Sequence, residues 1–391
     1  MFEHLLAKRM SRLGTETAFE VFAKAKRLEA EGRDIVHLEI GEPDFDTPTN
    51  IRQAAARAIE SGYTHYTPAA GLIQAREAIA SYITRHKNVP TAADNVVIVP
   101  GGKPIMFYVI LALIEEGDEV LYPNPSFPIY ESCINFAGGT PVPMPLLEKN
   151  HFRLDIDDMA SKITERTKLI IINSPANPTG GVLTPDDIRR IADLVRGKNI
   201  IVMSDEIYDR IIYEGEPLSI ASLPDMKDQT VILDGFSKTY AMTGWRLGYG
   251  VMHPSLAERI TKMMVNSNSC TAAFTQMAGI EALNGPQDEV DRMVAEFKAR
   301  RDLIVAGLNS IPGVSCLLPK GAFYAFPNVS SFGKPAKEIA EYLLVNAGVA
   351  VLGGTAFGSY GEGYLRLSYA TSRDNLQKAV EKMDKALRTL R

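Results

Sequence analysis

Short runs of consecutive apolar residues, rich in valine and isoleucine, alternate along most of this chain with longer stretches whose apolar positions recur every three to four residues. The short runs are NVVIV (95–99), EVL (119–121), KLIII (168–172), NIIVM (199–203) and TVIL (230–233). Nearly continuous apolar character over a few residues predicts strands buried on both faces, as in a mainly parallel sheet. Helical stretches at 73–85 and 185–195 supply the covering layers, so the text describes an α/β layered domain. Ahead of it, an amphipathic helix is predicted over 18–30, stopped at Glu31-Gly32. A strand-like DIVHLEI and the loop GEPDFDTP follow, where two prolines and a glycine forbid regular structure.

Beyond about residue 285 the pattern changes. A charged helix over 289–308, the segment GAFYAF (321–326), a helix near 337–347, the strand YLRLS (364–368) and a last amphipathic helix describe a smaller α+β domain. The expected division is an N-terminal segment, 1–45, shared between the small domain and dimer contacts, then a large domain over 46–285 and a small one over 286–391.

Composition narrows the function. With 46% apolar and 23% charged residues the chain is ordinary globular material, and 42 basic against 47 acidic side chains leave no basic stripe suited to nucleic acid. The apolar run IMFYVILALI (105–114) is far shorter than the roughly 20 residues a bilayer crossing needs, so no membrane partner is expected. Cys133, Cys270 and Cys316 are scattered, with no CxxC spacing, which suits a reducing cytoplasm. The six histidines never approach closer than 21 residues, so no local metal pattern exists.

In an open parallel sheet, ligands bind beyond the carboxyl ends of the strands, so the residues that follow each run carry the chemistry. After NVVIV stand Gly101, Gly102 and Lys103 at a helix start, where backbone N–H groups can face an anion; an ordinary tight turn reads equally well. After KLIII, two prolines bracket Asn177 and fix its amide at the sheet rim. Asp205, after NIIVM, is a strand-terminal carboxylate that either faces a cation or caps a helix. After TVIL come Ser237 and Lys238, then Arg246 beside the only tryptophan. A lysine in so apolar a setting is partly desolvated, which lowers its pKa and suits it to condensing with an aldehyde. Lysine nucleophile, phosphate arginine, buried aspartate and orienting asparagine together are what pyridoxal phosphate requires.

SDEIY, NPTG, SKTYAMTGWRLGY and YLRLS resemble the motifs of the class I and II aminotransferases of the aspartate aminotransferase fold type, and the resemblance runs from GEPDFDTP to the C-terminal helix. GEPDF with THYTPAAG is most similar to the bacterial and archaeal branch of aspartate, alanine and aromatic aminotransferases. The resemblance implies the pyridoxal-phosphate fold type I, a three-layer α/β/α domain with a smaller α+β domain. It implies that Lys238 condenses with the cofactor aldehyde and moves the substrate's Cα proton. Asp205 would partner the pyridine nitrogen, Asn177 and Tyr208 the phenolic oxygen, and Phe127 would stack on the ring. Arg246, Ser237 and the backbone of Gly101, Gly102 and Lys103 would hold the phosphate. Tyr66 would reach the phosphate of a neighbouring subunit, implying a homodimer with shared sites. Arg366 would hold the substrate α-carboxylate, with Gly41 in the loop closing over it.

Gly235 departs from the serine this family usually carries there, so a missing phosphate donor is expected, and Gly235→Ser should tighten cofactor binding. The expected reaction is ping-pong transfer of an amino group, with aspartate the first candidate donor and 2-oxoglutarate the acceptor. Lys103 and the segment 15–19 are candidates for the side-chain end of the site. Aromatic, methionine-like and alanine donors, and a β-lyase on the same fold, are the alternatives.

Overall fold

The computed structural model describes residues 3–390. Seven strands make the main sheet: β2 (Val96–Val99), β3 (Glu119–Asn124), β4 (Thr140–Pro145), β5 (Thr167–Asn173), β6 (Ile201–Asp205), β7 (Thr230–Gly235) and β8 (Gly248–Val251), in the order β2-β8-β7-β6-β5-β3-β4. β8 runs antiparallel to both its neighbours, and the remaining pairings are parallel. Every residue of β2, β3, β7 and β8 is buried, as their apolar runs require. β4 and β8 are additions to the strands read from sequence, because three prolines in TPVPMP and two glycines in GYGV hide them.

The helices lie where their periodicity predicts. Pro185–Val195 matches the expected span; Thr184 accepts from the Asp187 N–H and Asp187 returns a bond to the Thr184 N–H, so the first turn is capped both ways. Ile73–Lys87 runs two residues beyond the expected end and carries Lys87 into the interior. The stretch predicted near 337–347 is a helix, Ala336–Tyr342, that continues as a π-helical turn, Leu343–Ala347.

The C-terminal part holds β9 (Tyr324–Ala325), β10 (Val349–Ala350), β11 (Leu352–Gly353) and β12 (Leu365–Ser368), with β11, β12 and β9 forming an antiparallel sheet. β1 (Val36–His37) pairs with β10, so the segment before GEPDFDTP packs on the C-terminal part, and Val36 and Leu38 share its apolar core with Leu365 and Leu367. The register of the main sheet sets Asn173 opposite Asp205, and Asp205 opposite Leu233. Three carboxyl ends therefore sit side by side, facing the small sheet that carries Arg366.

Candidate active site

Asp205 closes β6 with its side chain buried. Loss of water raises its pKa to about 6; a hydrogen bond donated by the Tyr130 hydroxyl and another from the Ile207 N–H oppose that rise. Lys238 lies three residues past the end of β7 and donates to the Gly41 carbonyl at 2.6 Å. Desolvation brings its amine down to about 8; Glu42 pulls it up, and Arg366 and Lys103 push it further down. A primary amine and a carboxylate thus share one enclosure, each shifted toward its neutral form.

The asparagine loop is tied to the same strand ends. Asn173 accepts from the Asn177 N–H at 2.9 Å and donates to the Asp205 carbonyl at 3.1 Å, while the Asn177 side-chain oxygen is buried without a partner. Tyr208 shares a hydrogen bond of 2.7 Å with Tyr324 across the interface with the small sheet. Phe127 packs edge-on against Tyr130, with ring centroids 5.8 Å apart.

Arg366 is fully enclosed. Its guanidinium lies 4.8 Å from the Tyr324 ring and 4.9 Å from the Phe357 ring, one terminal nitrogen donates to the Glu39 carbonyl, and Nε has no partner. A Cβ on Gly41 would lie 2.1 Å from the Tyr324 hydroxyl, so glycine lets this loop close down on the arginine's neighbour. At the other end Arg246 donates to the Thr243 carbonyl at 2.7 Å, and its guanidinium occupies the space a Gly101 side chain would need. Gly101 has φ +86°, where glycine is favoured.

A cavity of about 560 Å³ joins these groups. Gly41, Gly102, Lys103, Phe127, Asn177, Asp205, Tyr208, Ser237, Lys238, Arg246 and Arg366 all border it. Gly101 stands just behind, against Arg246. Tyr66 is elsewhere, on the surface and 90% exposed. Sequence reasoning missed Tyr130, Tyr324 and Asn173. Tyr130 lies one helical turn past Phe127 and Tyr324 within GAFYAF, but neither position has a pattern that distinguishes it from core packing. Glu16 fell inside the segment singled out at 15–19, and its carboxylate forms an ion pair with Lys103. Among the described residues no group of histidine, cysteine, aspartate or glutamate side chains is arranged to hold a metal ion, and no helix is long and apolar enough to cross a membrane.

The surroundings of Gly235 offer a packing reason for the glycine beside the expectation of a missing donor. A Cβ there would lie 3.0 Å from Gly248 Cα, 3.2 Å from the Leu247 carbonyl oxygen and 3.3 Å from Ile207 Cδ1. β8 approaches closely here, and a serine would fit only if its neighbours gave way by a few tenths of an ångström.

The residues fit pyridoxal phosphate: an unpartnered asparagine oxygen and arginine nitrogen face a cavity with a desolvated amine, a carboxylate near its base and an arginine beside the glycine turn. The comparisons with known proteins agree. The family model described as aminotransferase class I and II matches residues 33–383. Over 387 residues, 98% of each protein, the chain is 40% identical to an aspartate aminotransferase from Pyrococcus horikoshii. It is 37% identical to aromatic-amino-acid aminotransferase 2 of Thermococcus litoralis, over 98% of this chain and 98% of that one. The solved aspartate aminotransferase from Thermus thermophilus with maleate superposes with a TM-score of 0.94 at 35% identity, covering 97% of this chain and 99% of the other.

Proposed function

This chain belongs to the class I and II aminotransferases, the pyridoxal-phosphate-dependent transaminases, and from that premise we propose that its amino donor is L-aspartate and its acceptor a 2-oxo acid such as 2-oxoglutarate. The observation that carries the donor is that the cavity is lined by two cationic side chains besides Arg246 and Lys238, namely Arg366 and Lys103, the latter paired with Glu16. Arg366 is buried with Nε unpartnered, and Lys103 is half-exposed on another wall. A dicarboxylate presents two anions to match.

When bound, pyridoxal 5′-phosphate supplies an electron sink that acidifies the donor's Cα–H bond. Arg366 takes the α-carboxylate, and the rings of Tyr324 and Phe357 hold the guanidinium flat and exclude water around it. Asp205, whose rise to about 6 is limited by Tyr130 and the Ile207 N–H, is ionised above that pH and would keep a proton on the cofactor's ring nitrogen. Lys238, whose amine is lowered to about 8, would remove the proton at Cα and deliver it to the cofactor's aldehyde-derived carbon, so that the nitrogen stays with the cofactor and the donor leaves as a 2-oxo acid. Asn177 and Tyr208 orient the phenolic oxygen, Phe127 covers the ring, and Arg246, Ser237 and the amides of Gly101, Gly102 and Lys103 hold the phosphate. The Gly41 carbonyl, which holds the Lys238 amine, lies in the loop that closes over the donor.

The second subunit completes the site. Tyr66 is too exposed to be a packing residue, and Phe19, Ile73 and Val265 are also exposed, which supports a homodimer in which Tyr66 reaches the partner's phosphate. Three free cysteines support a cytoplasmic location. A large body over 46–285 and a smaller one over 286–390 fit this reading, with the segment before residue 46 contributing to the smaller body and to dimer contacts.

Half-reaction absorbance changes test the donor, using aspartate, alanine, phenylalanine and methionine on the wild type and Lys103→Met. Aspartate should lead on the wild type, and the variant should lose about tenfold to a hundredfold in kcat/KM for aspartate alone. A uniform loss, or a wild type indifferent to aspartate, overturns the reading in favour of an aromatic donor.

A further inference from the structure

Once phosphate, ring nitrogen, cofactor aldehyde and α-carboxylate have taken Arg246, Asp205, Lys238 and Arg366, Lys103 is the basic side chain left among the described residues that line the cavity, and it is already paired. Glu16 holds it through an ion pair that leaves the glutamate side chain 16% exposed and the lysine 49%. Lys103 also lies over the Phe127 ring, 5.2 Å from its centroid. The charge of Glu16 acts on Lys238, Tyr324 and Arg366, which sets the carboxylate within the field of the substrate rather than outside it.

Glu16 is the residue immediately before the helix Thr17–Ala30, with extended backbone angles, and its side chain makes no capping bond. The first N–H groups of that helix therefore lack a side-chain acceptor. A carboxylate released from Lys103 has a second resting place beside it, because a helix N-terminus favours a negative charge. Glu16 thus has one partner, Lys103, which a substrate carboxylate could claim, and stands beside helix N–H groups that its side chain does not engage.

We propose that Glu16 is a specificity-determining residue that stands in for the distal carboxylate of the substrate. It neutralises Lys103 while the side-chain end of the site is empty or filled by an uncharged donor, and it yields the lysine to a dicarboxylate. This rests on the reading that Lys103 receives the distal carboxylate. Two consequences follow from charge alone. A dicarboxylate must displace an existing anion, so its affinity is held below what Lys103 alone would give. An uncharged side chain meets a neutral pair instead of a bare ammonium, so aromatic and aliphatic donors are tolerated.

The test uses the holoenzyme and the Glu16→Gln variant, which keeps the side chain's size and removes its charge. Two quantities are read: the ratio of kcat/KM for aspartate to that for phenylalanine, and the Kd of maleate against that of 3-phenylpropanoate by calorimetry. Glu16→Gln should raise the ratio about three- to tenfold and tighten maleate by a similar factor, with phenylalanine and 3-phenylpropanoate within about twofold, as suits a partly exposed pair. An unchanged ratio overturns the proposal, and a fall overturns it by making Glu16 a positioning residue for Lys103. Lys103→Met separates the two readings: if it lowers aspartate selectively while Glu16→Gln changes nothing, the exchange fails and the donor reading stands. If Lys103→Met affects all donors alike, both fall.

Discussion

Lys87 and Lys238 are two enclosed lysines served by the same pair of strands, and their amines are driven in opposite directions. Lys87 is surrounded by Glu206 at 2.7 Å, Asp234 at 3.0 Å and Asp209. Burial works against its charge, yet the three carboxylates outweigh burial and hold the amine well above the ordinary lysine range. Lys238 has one hydrogen bond, to a carbonyl, and falls to about 8 because burial goes unanswered. Strand alternation makes the difference. Ser204, Glu206 and Asp234 point to one face, where Ser204 and Ser219 hydroxyls complete the Glu206 carboxylate and Tyr249 completes Asp234. Asp205 and Leu233, on the other face, border the cavity. The closed face spends its charges on one another and is structural; the open face leaves polar atoms unpartnered and is reactive.

The comparison breaks most visibly at Lys238. Lys238→Ala should lower kcat by more than about 10⁴-fold while the folded protein melts cooperatively at or above the wild-type temperature, since a desolvated amine is lost. Borohydride reduction and peptide mapping of the wild type should place the cofactor on Lys238 alone; attachment elsewhere would sink the assignment. Lys87→Met should do the reverse, costing about 3–5 kcal/mol of unfolding free energy by leaving three carboxylates without their cation. Denaturant titration reads that loss, and an inactive variant of unchanged stability would show that the closed face takes part in the chemistry.

Smaller changes sharpen the boundary between the faces. Gly235→Ser should destabilise by about 1–3 kcal/mol and weaken cofactor binding, because the new Cβ presses on β8; tighter binding in equilibrium dialysis would restore the missing-donor account. Tyr130→Phe removes the hydroxyl that lowers the Asp205 pKa, so that pKa should rise from about 6. The ionised form is the one that pairs with a protonated ring nitrogen, and it is lost as pH falls through that value. The acid fall-off in cofactor affinity should therefore move to higher pH, by roughly one unit. An unmoved profile would mean that Tyr130 only packs.

Much of the site was legible because its residues follow directly on buried strands. A run such as KLIII or TVIL marks itself, and the residue at its carboxyl end is then placed at the rim of the sheet whatever the remaining chain does. Asn177, Asp205 and Lys238 were accessible in that way, and Arg366 through YLRLS. β4 and β8 were not, because their prolines and glycines answer neighbours rather than periodicity: a Cβ on Gly248 would lie 2.5 Å from the Gly102 amide nitrogen. Gly235 is ambiguous for the same reason, since a short side chain there can answer the approach of β8 as well as leave a phosphate donor out.

By itself, then, the sequence determined the layered fold, the family and with it the cofactor, and it picked out residues that border one cavity, since each depends on local patterning, on a motif or on residue type at a strand end. Which partner each of those groups finds was decided only by the tertiary structure. Tyr208 meets Tyr324 across 116 residues and Lys103 meets Glu16 across 87, and the three acids around Lys87 converge from two strand ends and a loop. Such pairings depend on sheet register and on the seating of the small sheet against the large one. No periodicity within a segment encodes a contact whose other half lies in a different segment.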